Sequence, residues 1–160
     1  MIAIAITIVG GIVATSVMSA ALYFIHWRGF ANADMIRALG TMVTKSEEDA
    51  VLPGVLIHFA SGIIFAFIYV GFWSLWGFDA FNFYLVLGFI TGLAHGLVVS
   101  FVLVALVAEH HPIEKFREAG MGVALAHLGG HVVYGLVLAV VVGAYAVRFD
   151  FIPVLAQVPQ

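Results

Sequence analysis

The sequence predicts an all-α integral membrane protein, a four-helix bundle whose helices run up, down, up and down. Composition is the first reason: 64% of the 160 residues are hydrophobic and only 9% are charged, whereas soluble domains are about 45–50% apolar and about 25% charged. The second reason is that four long stretches contain no Asp, Glu, Lys or Arg. A helix needs about 20 apolar residues to cross a bilayer, and each stretch exceeds that length.

The four stretches are predicted to form one transmembrane domain over residues 1–160. They cover Ile2–Ile25, Pro53–Leu75, Phe81–Ala108 and Ala119–Val147. The first is interpreted as a retained helix and not as a secretory signal, because no Lys or Arg precedes it and it exceeds the usual apolar core of about 7–15 residues. Pro53 suits the first turn of the second span, where its missing N–H is not needed.

The basic residues predict the orientation in the membrane. With four spans, the loops at residues 26–52 and 109–118 share one side, and they hold five of the six basic residues: Arg28, Arg37, Lys45, Lys115 and Arg117. The other side, with the turn around Asp79, the tail and both termini, holds only Arg148. Basic loops stay in the cytoplasm. We therefore expect both termini outside the cytoplasm, and short connections that make spans two, three and four successive antiparallel neighbours.

The first long loop contains a short amphipathic helix at about residues 33–44. Its large apolar residues follow an i, i+1, i+4, i+7, i+8 pattern typical of one helix face: Met35, Ile36, Leu39, Met42 and Val43. Asn32 or Asp34 is expected to cap its start. The helix is predicted either to lie along the membrane surface or to tuck against the bundle.

Small residues form ridges on two spans. The third span carries Gly88, Gly92 and Gly96, and the first carries Gly11, Thr15 and Ser19. Ridges of this kind let helix backbones approach closely inside a bilayer. Three interpretations follow: packing within the bundle, a dimer interface, or the flat wall of a cofactor pocket.

The seven histidines carry most of the functional information. His26, His110 and His111 are predicted at the cytoplasmic boundary. From the helical rise, His58 lies about 8 Å inside the second span, and His127 and His131 lie about 12 and 18 Å inside the fourth. His95 lies about 21 Å inside the third. Ionisable residues inside a membrane usually face the bundle interior and mark function, although an intramembrane His can also serve only as an interhelical hydrogen-bond partner.

A transition-metal site is one prediction for these imidazoles. His127 and His131 are four residues apart and share a helix face, and His95 lies within about 3 Å of His131 in depth. Three imidazoles suit zinc, copper or iron. No Glu follows His127, which excludes the H-E-x-x-H protease motif, and spans without carboxylates disfavour calcium or magnesium.

Haem b is the other predicted cofactor. Two axial imidazoles require helices about 12 Å or more apart, since each adds its own length to a metal–nitrogen bond, whereas adjacent helices pack at about 8–10 Å. His58 and His127 lie on spans that are diagonal in a square bundle and differ by about 4 Å in depth. They are the better axial pair.

Glu109, His110 and His111 end the third span. Pro112 disfavours helical conformation at His111, so these side chains are expected to fan out at the surface. They are predicted to be a loading site for a divalent metal, a proton-collecting mouth, or a plain polar cap.

Other functions are excluded or left open by residue content. No cysteine is present, which excludes disulfides and thiolate sites, and a net charge of -3 gives no basic surface for nucleic acid. No catalytic set is found, so we do not expect an enzyme on its own. The leading prediction is a small redox or metal-handling subunit that contacts the lipid bilayer and other membrane subunits or further copies of itself. A structural accessory or assembly subunit and a histidine-lined proton or metal conduit are the alternatives.

Three segments carry a resemblance to known proteins. They are Leu56-Ile57-His58-Phe59, Gly92-Leu93-Ala94-His95-Gly96 and the stretch from His127 to Gly135. Together with the four spans, they resemble small uncharacterised four-helix proteins of the bacterial inner membrane. The resemblance covers most of the chain and implies a location in that membrane, but it implies no activity.

Overall fold

The computed structural model describes residues 1–76, 80–102 and 108–148. Six α-helices and one short 3-10 helix make up their secondary structure: α1 (Ile2–Trp27), α2 (Met35–Thr44), α3 (Val51–Trp73), α4 (Phe81–Val102), α5 (Ala108–His110), the 3-10 helix (Glu114–Phe116) and α6 (Met121–Arg148). Four of them, α1, α3, α4 and α6, are long and apolar enough to cross a membrane. The predicted all-α four-helix membrane bundle is confirmed.

The boundaries differ from the prediction by a few residues. Helix α3 begins at Val51, two residues before the predicted start, and Pro53 lies in its first turn as expected. Helix α4 is described as far as Val102, and the predicted continuation towards residue 108 crosses residues outside the described ranges. Asp79 and the tail from residue 149 also lie outside them, so their predicted side of the membrane is untested.

The four long helices surround an interior in the order α3, α1, α6, α4. Helix α1 packs against α3 and α6, and α6 packs most extensively against α4. Helices α3 and α4 make few close approaches. Helices α3 and α4 are neighbours, and side chains join them, since the Tyr69 hydroxyl donates to the Thr91 carbonyl, but their backbones stay apart; the antiparallel packing of α4 on α6 is confirmed.

Glycine explains why α4 prefers α6. A Cβ added at Gly92 would stand 2.6 Å from the His131 carbonyl oxygen, and one at Gly96 would stand 3.0 Å from that of Leu128. A Cβ at Gly135 would overlap the Gly88 carbonyl. These contacts are between backbones, as expected for small residues in a bilayer. The ridge on α4 serves packing within the bundle.

Helix α2 tucks against the start of α3. The Asp34 side chain caps it by accepting from the Arg37 amide at 3.1 Å, which confirms one of the two predicted caps. A Cβ at Gly40 would overlap the backbone of Ala50, and one at Gly54 would overlap that of Ile36. The short helix is therefore fixed by backbone contact, and it covers the bundle next to the gap between α3 and α4.

Candidate functional site

An internal cavity of about 160 Å³ lies where three imidazoles from three helices meet. We call it the histidine cavity. His58 comes from α3, His95 from α4 and His131 from α6. The remaining lining residues are Thr15, Met18, Met35, Leu39, Ser61, Gly62, Phe65, Val99 and Tyr134. None of these described lining residues is Asp, Glu, Lys or Arg, so the wall is uncharged, and its imidazoles and hydroxyl groups stand among apolar side chains.

Two of the imidazoles on α6 are oriented by their own helix. His127 Nδ1 lies 2.8 Å from the Val123 carbonyl oxygen, and His131 Nδ1 lies 2.8 Å from that of His127. A carbonyl only accepts, so each Nδ1 carries the hydrogen and donates it. In the neutral ring, Nε2 then keeps a free lone pair. Both side chains are buried.

The imidazole of His95 on α4 also carries its hydrogen on Nδ1, and a tyrosine accepts that hydrogen. The Tyr69 hydroxyl donates to the Thr91 carbonyl at 3.0 Å, and it lies 3.1 Å from His95 Nδ1. A phenol has one hydrogen to donate, so His95 Nδ1 donates to Tyr69 and leaves its Nε2 as an acceptor. The His95 and His131 ring centroids are 4.5 Å apart.

His58 contributes an unsatisfied nitrogen. Its side chain is only 8% exposed, and its Nε2 is buried without a hydrogen-bond partner. His58 also lies close enough to His127 and His131 to interact with both electrostatically. A buried polar atom without a partner costs about 1–3 kcal/mol. His58 therefore brings to the histidine cavity a nitrogen whose hydrogen-bonding capacity is unused by the described residues.

A second, larger cavity of about 800 Å³ fills the gap between α3 and α4. We call it the lateral cavity. Met35, Leu39, Phe65, His95 and Val99 line both cavities, so the two spaces adjoin. The outer lining side chains are largely exposed, among them Ile68, Ile90 and Val98. In a bilayer this side of the protein faces lipid, so the lateral cavity opens towards acyl chains.

Aromatic rings close the bundle on the side away from the charged loops. Tyr69 and Tyr134 meet edge to face with ring centroids 5.7 Å apart, and Trp73 continues the cluster 5.9 Å from Tyr69. The Tyr134 hydroxyl donates to the Gly62 carbonyl at 2.5 Å and ties α6 to α3. All three rings are buried. A layer of packed aromatic rings therefore bounds the region of the imidazoles on this side.

A third, small cavity of about 30 Å³ lies beneath the charged loops. We call it the vestibule. His127 forms its inner wall, and Asp34, Lys115, Glu118 and His111 are among its lining residues. His127 therefore faces the vestibule, and the vestibule gives the charged-loop side of the protein a polar approach to the interior.

The three residues that end the third span do not behave as one group. Glu109 and His110 are exposed, but His111 is fully buried. His111 Nδ1 accepts from the Ile113 amide at 3.1 Å, and its Nε2 lies 3.1 Å from the Ala38 carbonyl oxygen of α2. The expectation that these side chains fan out is wrong for His111, because its Nε2 holds α2 and its Nδ1 is used by the backbone of its own loop.

The positions of the histidines differ from those that the two predicted cofactor sites require. Within the described ranges, no three His, Asp or Glu side chains are grouped closely enough to hold a metal ion, so His95, His127 and His131 do not form the predicted three-ligand set. A haem between His58 and His127 does not fit. The histidine cavity is smaller than the roughly 300–1,000 Å³ typical of drug-sized ligands, and the Tyr134–Gly62 hydrogen bond closes α6 onto α3 beside it.

Comparisons with known proteins do not bear on the site. The chain matches no protein-family model, no curated protein and no solved structure. The resemblance to small bacterial inner-membrane proteins stays a prediction.

Tyr69 is the functional residue that the sequence reasoning missed. It orients His95, and it lies on the face of α3 that also carries His58. The signal was present in the spacing, because His58, Gly62, Phe65 and Tyr69 follow an i, i+4, i+7, i+11 pattern that places them on one helix face.

Proposed function

We propose that this protein binds, inside the membrane, a lipophilic molecule whose head is a neutral ring bearing a hydroxyl group. Hydroquinones and alkylphenols belong to this class. The single observation that carries the proposal is that a small cavity of about 160 Å³, whose wall includes three imidazoles, adjoins an apolar cavity of about 800 Å³ that opens to lipid. This two-part shape suits a compact head with a long apolar tail.

The hydrogen-bond acceptors in the histidine cavity indicate which head group the ligand carries. The Nε2 atoms of His95 and His131 are acceptors, because their Nδ1 atoms already donate. Acceptors that face a cavity require a donor, and a hydroxyl supplies one. Phospholipid heads are disfavoured, because a phosphate calls for Arg or Lys and none lies among the described lining residues.

The tail is accommodated by the lateral cavity. Its described lining is almost wholly aliphatic or aromatic, with Ile68, Phe72 and Ile90 near the outside. Phe65 and His95 stand at the junction with their ring centroids 3.9 Å apart, where the ring of a bound head can stack. A ligand that diffuses in the bilayer reaches the imidazoles without crossing water.

A transition-metal ion is the second candidate for the same imidazoles. The observation that favours it is the Nδ1–H hydrogen bond to a backbone carbonyl on His127 and His131. Metal-ligating histidines usually donate their other ring N–H in this way. Zinc, copper or iron would be held by Nε2 atoms of the cluster once the rings turn towards one point. Either ligand keeps the role of a small redox or metal-handling subunit.

Dodecylphenol and its methyl ether, dodecylanisole, provide the decisive pair of probes. With the protein in lipid nanodiscs, we expect saturable binding of labelled dodecylphenol at one molecule per chain. Dodecylanisole lacks the donor and leaves imidazole lone pairs unpaired, a cost of about 1–3 kcal/mol. We therefore expect it to bind about fivefold to about 140-fold more weakly, since each 1.4 kcal/mol is a factor of ten.

Matched variants locate the two halves of the site. His131→Leu combined with His95→Leu should abolish the preference for the phenol over the ether, because the two changes remove both head acceptors. Ala94→Trp should block both probes by filling the lateral cavity that Ala94 lines. Ala60→Trp is the control, since Ala60 is exposed on α3 and lines neither cavity. Equal affinity for phenol and ether in the unmodified protein overturns the proposal.

Elemental analysis separates the remaining candidates. Stoichiometric zinc, copper or iron that is lost in His95→Leu and His131→Leu would establish the metal and displace the phenol. A structural accessory subunit would retain neither probe nor metal, and its His131→Leu variant would lose about 0.6 kcal/mol of stability.

We further propose that the charged-loop side faces the cytoplasm of a bacterial inner membrane and that both termini lie outside. Five of the six basic residues on that side support this orientation. A cysteine introduced at Lys45 should react with a membrane-impermeant thiol reagent only when the reagent is on the cytoplasmic side. The exposed face of α4 includes Phe101 and Val98. This face can contact lipid, other membrane subunits or a second copy.

A further inference from the structure

We infer that the vestibule and His127 form a water-filled proton route between the charged-loop side of the membrane and the histidine cavity. The purpose of this route rests on the proposed function. A hydroxylated head exchanges protons, and the route would connect that head to water on one side of the membrane only. The route itself is visible in the arrangement of residues whether or not a lipophilic ligand is present.

The vestibule is polar enough to hold water. Its volume of about 30 Å³ matches the share of one water molecule in the liquid. A buried water needs two to four polar partners, and the walls offer Asn32, Asp34, Glu118 and the inner His127. Glu118 also places a carboxylate in the wall, where it can exchange protons with water, whereas the Asp34 carboxylate is held by Arg37.

His127 connects the vestibule to the interior. It lies one helical turn from His131, whose Nδ1 donates to the His127 carbonyl at 2.8 Å, and it interacts electrostatically with His58. Because Nδ1 of both α6 imidazoles is engaged with carbonyls, protons must arrive at and leave from Nε2. An excess proton delivered by hydronium forms a new N–H bond at Nε2 and leaves neutral water; that bond breaks when the proton passes to the next water or to an unprotonated Nε2.

Met35 controls the junction. It is the one described residue that lines the vestibule, the histidine cavity and the lateral cavity together. Methionine is unbranched and flexible, so its side chain can move without disturbing α2. The far end offers no equivalent route, because Tyr69, Trp73 and Tyr134 pack there as buried rings. The route thus ends inside the bundle, which distinguishes it from a channel.

The absence of cysteine from the sequence makes the route measurable by single introduced cysteines. Val123 lines the vestibule, whereas Leu125 is on the same helix at nearly the same depth and is exposed on the outer surface. A thiol reacts as the thiolate, which requires water. In sealed vesicles, a small charged methanethiosulfonate should label Val123→Cys from the charged-loop side at least about tenfold faster than Leu125→Cys.

Two further variants sharpen the test. His127→Cys should be labelled from the same side, and His131→Cys should be labelled faster when Met35→Ala opens the junction. Folding of each variant is checked by its circular dichroism and its elution volume, and Val123→Cys keeps every histidine in place should His127→Cys fail to fold. Equal labelling of Val123→Cys and Leu125→Cys, or equal labelling from both sides, overturns the route. Dodecylphenol binding without labelling at Val123 refutes only the route, and labelling without such binding refutes only the proposed function.

Discussion

The two sides of helix α4 differ more than any other pair of neighbouring surfaces in the bundle. Towards α6, glycines bring the backbones into contact. Towards α3, large side chains such as Phe65, Phe72 and Ile90 leave a cavity of about 800 Å³. The comparison shows that hydrophobicity alone does not close a membrane bundle, because lipid solvates apolar side chains as well as a neighbouring helix does. Close packing requires small residues, and open space for a ligand follows where they are missing.

The largest effect is expected on the closed side. In Gly135→Ala the new methyl group would overlap the Gly88 carbonyl and approach Gly92 Cα at 3.1 Å. Overpacking of this kind costs about 3 kcal/mol, and backbone on both sides leaves little room to relax. Thermal unfolding in detergent measures the loss. Gly129→Ala on the same helix is the control, because a Cβ there meets nothing within 4 Å; equal stabilities would remove the basis of the comparison.

A smaller loss is expected where α2 covers the open side. His111→Leu leaves the Ala38 carbonyl and the Ile113 amide without their partner, which costs about 2 kcal/mol. Limited trypsin digestion at Lys45 should accelerate as α2 detaches. Glu109→Gln changes an exposed neighbouring side chain and should digest like the unmodified protein. If both variants digest alike, His111 does not hold α2.

The hydrogen bond between Tyr134 and Gly62 should contribute less to the stability of the bundle than the two features above. Tyr134→Phe removes the hydroxyl that donates to the Gly62 carbonyl at 2.5 Å and so weakens the link between α6 and α3 by about 1 kcal/mol. Denaturant unfolding in mixed micelles measures it. Tyr23→Phe, at an exposed site on α1, should leave the midpoint unchanged. A silent Tyr134→Phe would mean that this hydrogen bond does not help to hold α3 against α6.

The smallest effect is expected on the open side itself. Ala94→Leu adds apolar volume next to the lateral cavity and should change stability by no more than about 0.5 kcal/mol. Gly92→Ala, two residues away on the closed side, adds less volume but places a methyl group 2.6 Å from the His131 carbonyl oxygen. Its loss of stability should exceed that of Ala94→Leu in the same unfolding assay; the reverse order would contradict the contrast between the two sides.

The sequence was sufficient to predict the spans and the short loop helix, and to narrow its cap to Asn32 or Asp34, because each depends on local composition and spacing. It also predicted that the intramembrane histidines face inward, and the structure buries His58, His127 and His131. It could not predict that α3 and α4 separate, because helix order around the bundle depends on which backbones meet. The burial of His111 was missed for a similar reason: its partner, the Ala38 carbonyl, is 73 residues away in the chain.

The glycine contacts between α4 and α6 also have a consequence for conformational entropy. A glycine has no side-chain rotamers to lose when it is packed, and in a bilayer both helices are formed before they associate. Joining α4 to α6 therefore orders very few torsions. Closing α3 onto α4 would instead immobilise Phe65, Ile68, Phe72 and Ile90 in a single arrangement. The lateral cavity stays open because rotational freedom of these side chains favours the open state, and a bound ligand has to compensate for whatever part of that freedom it removes.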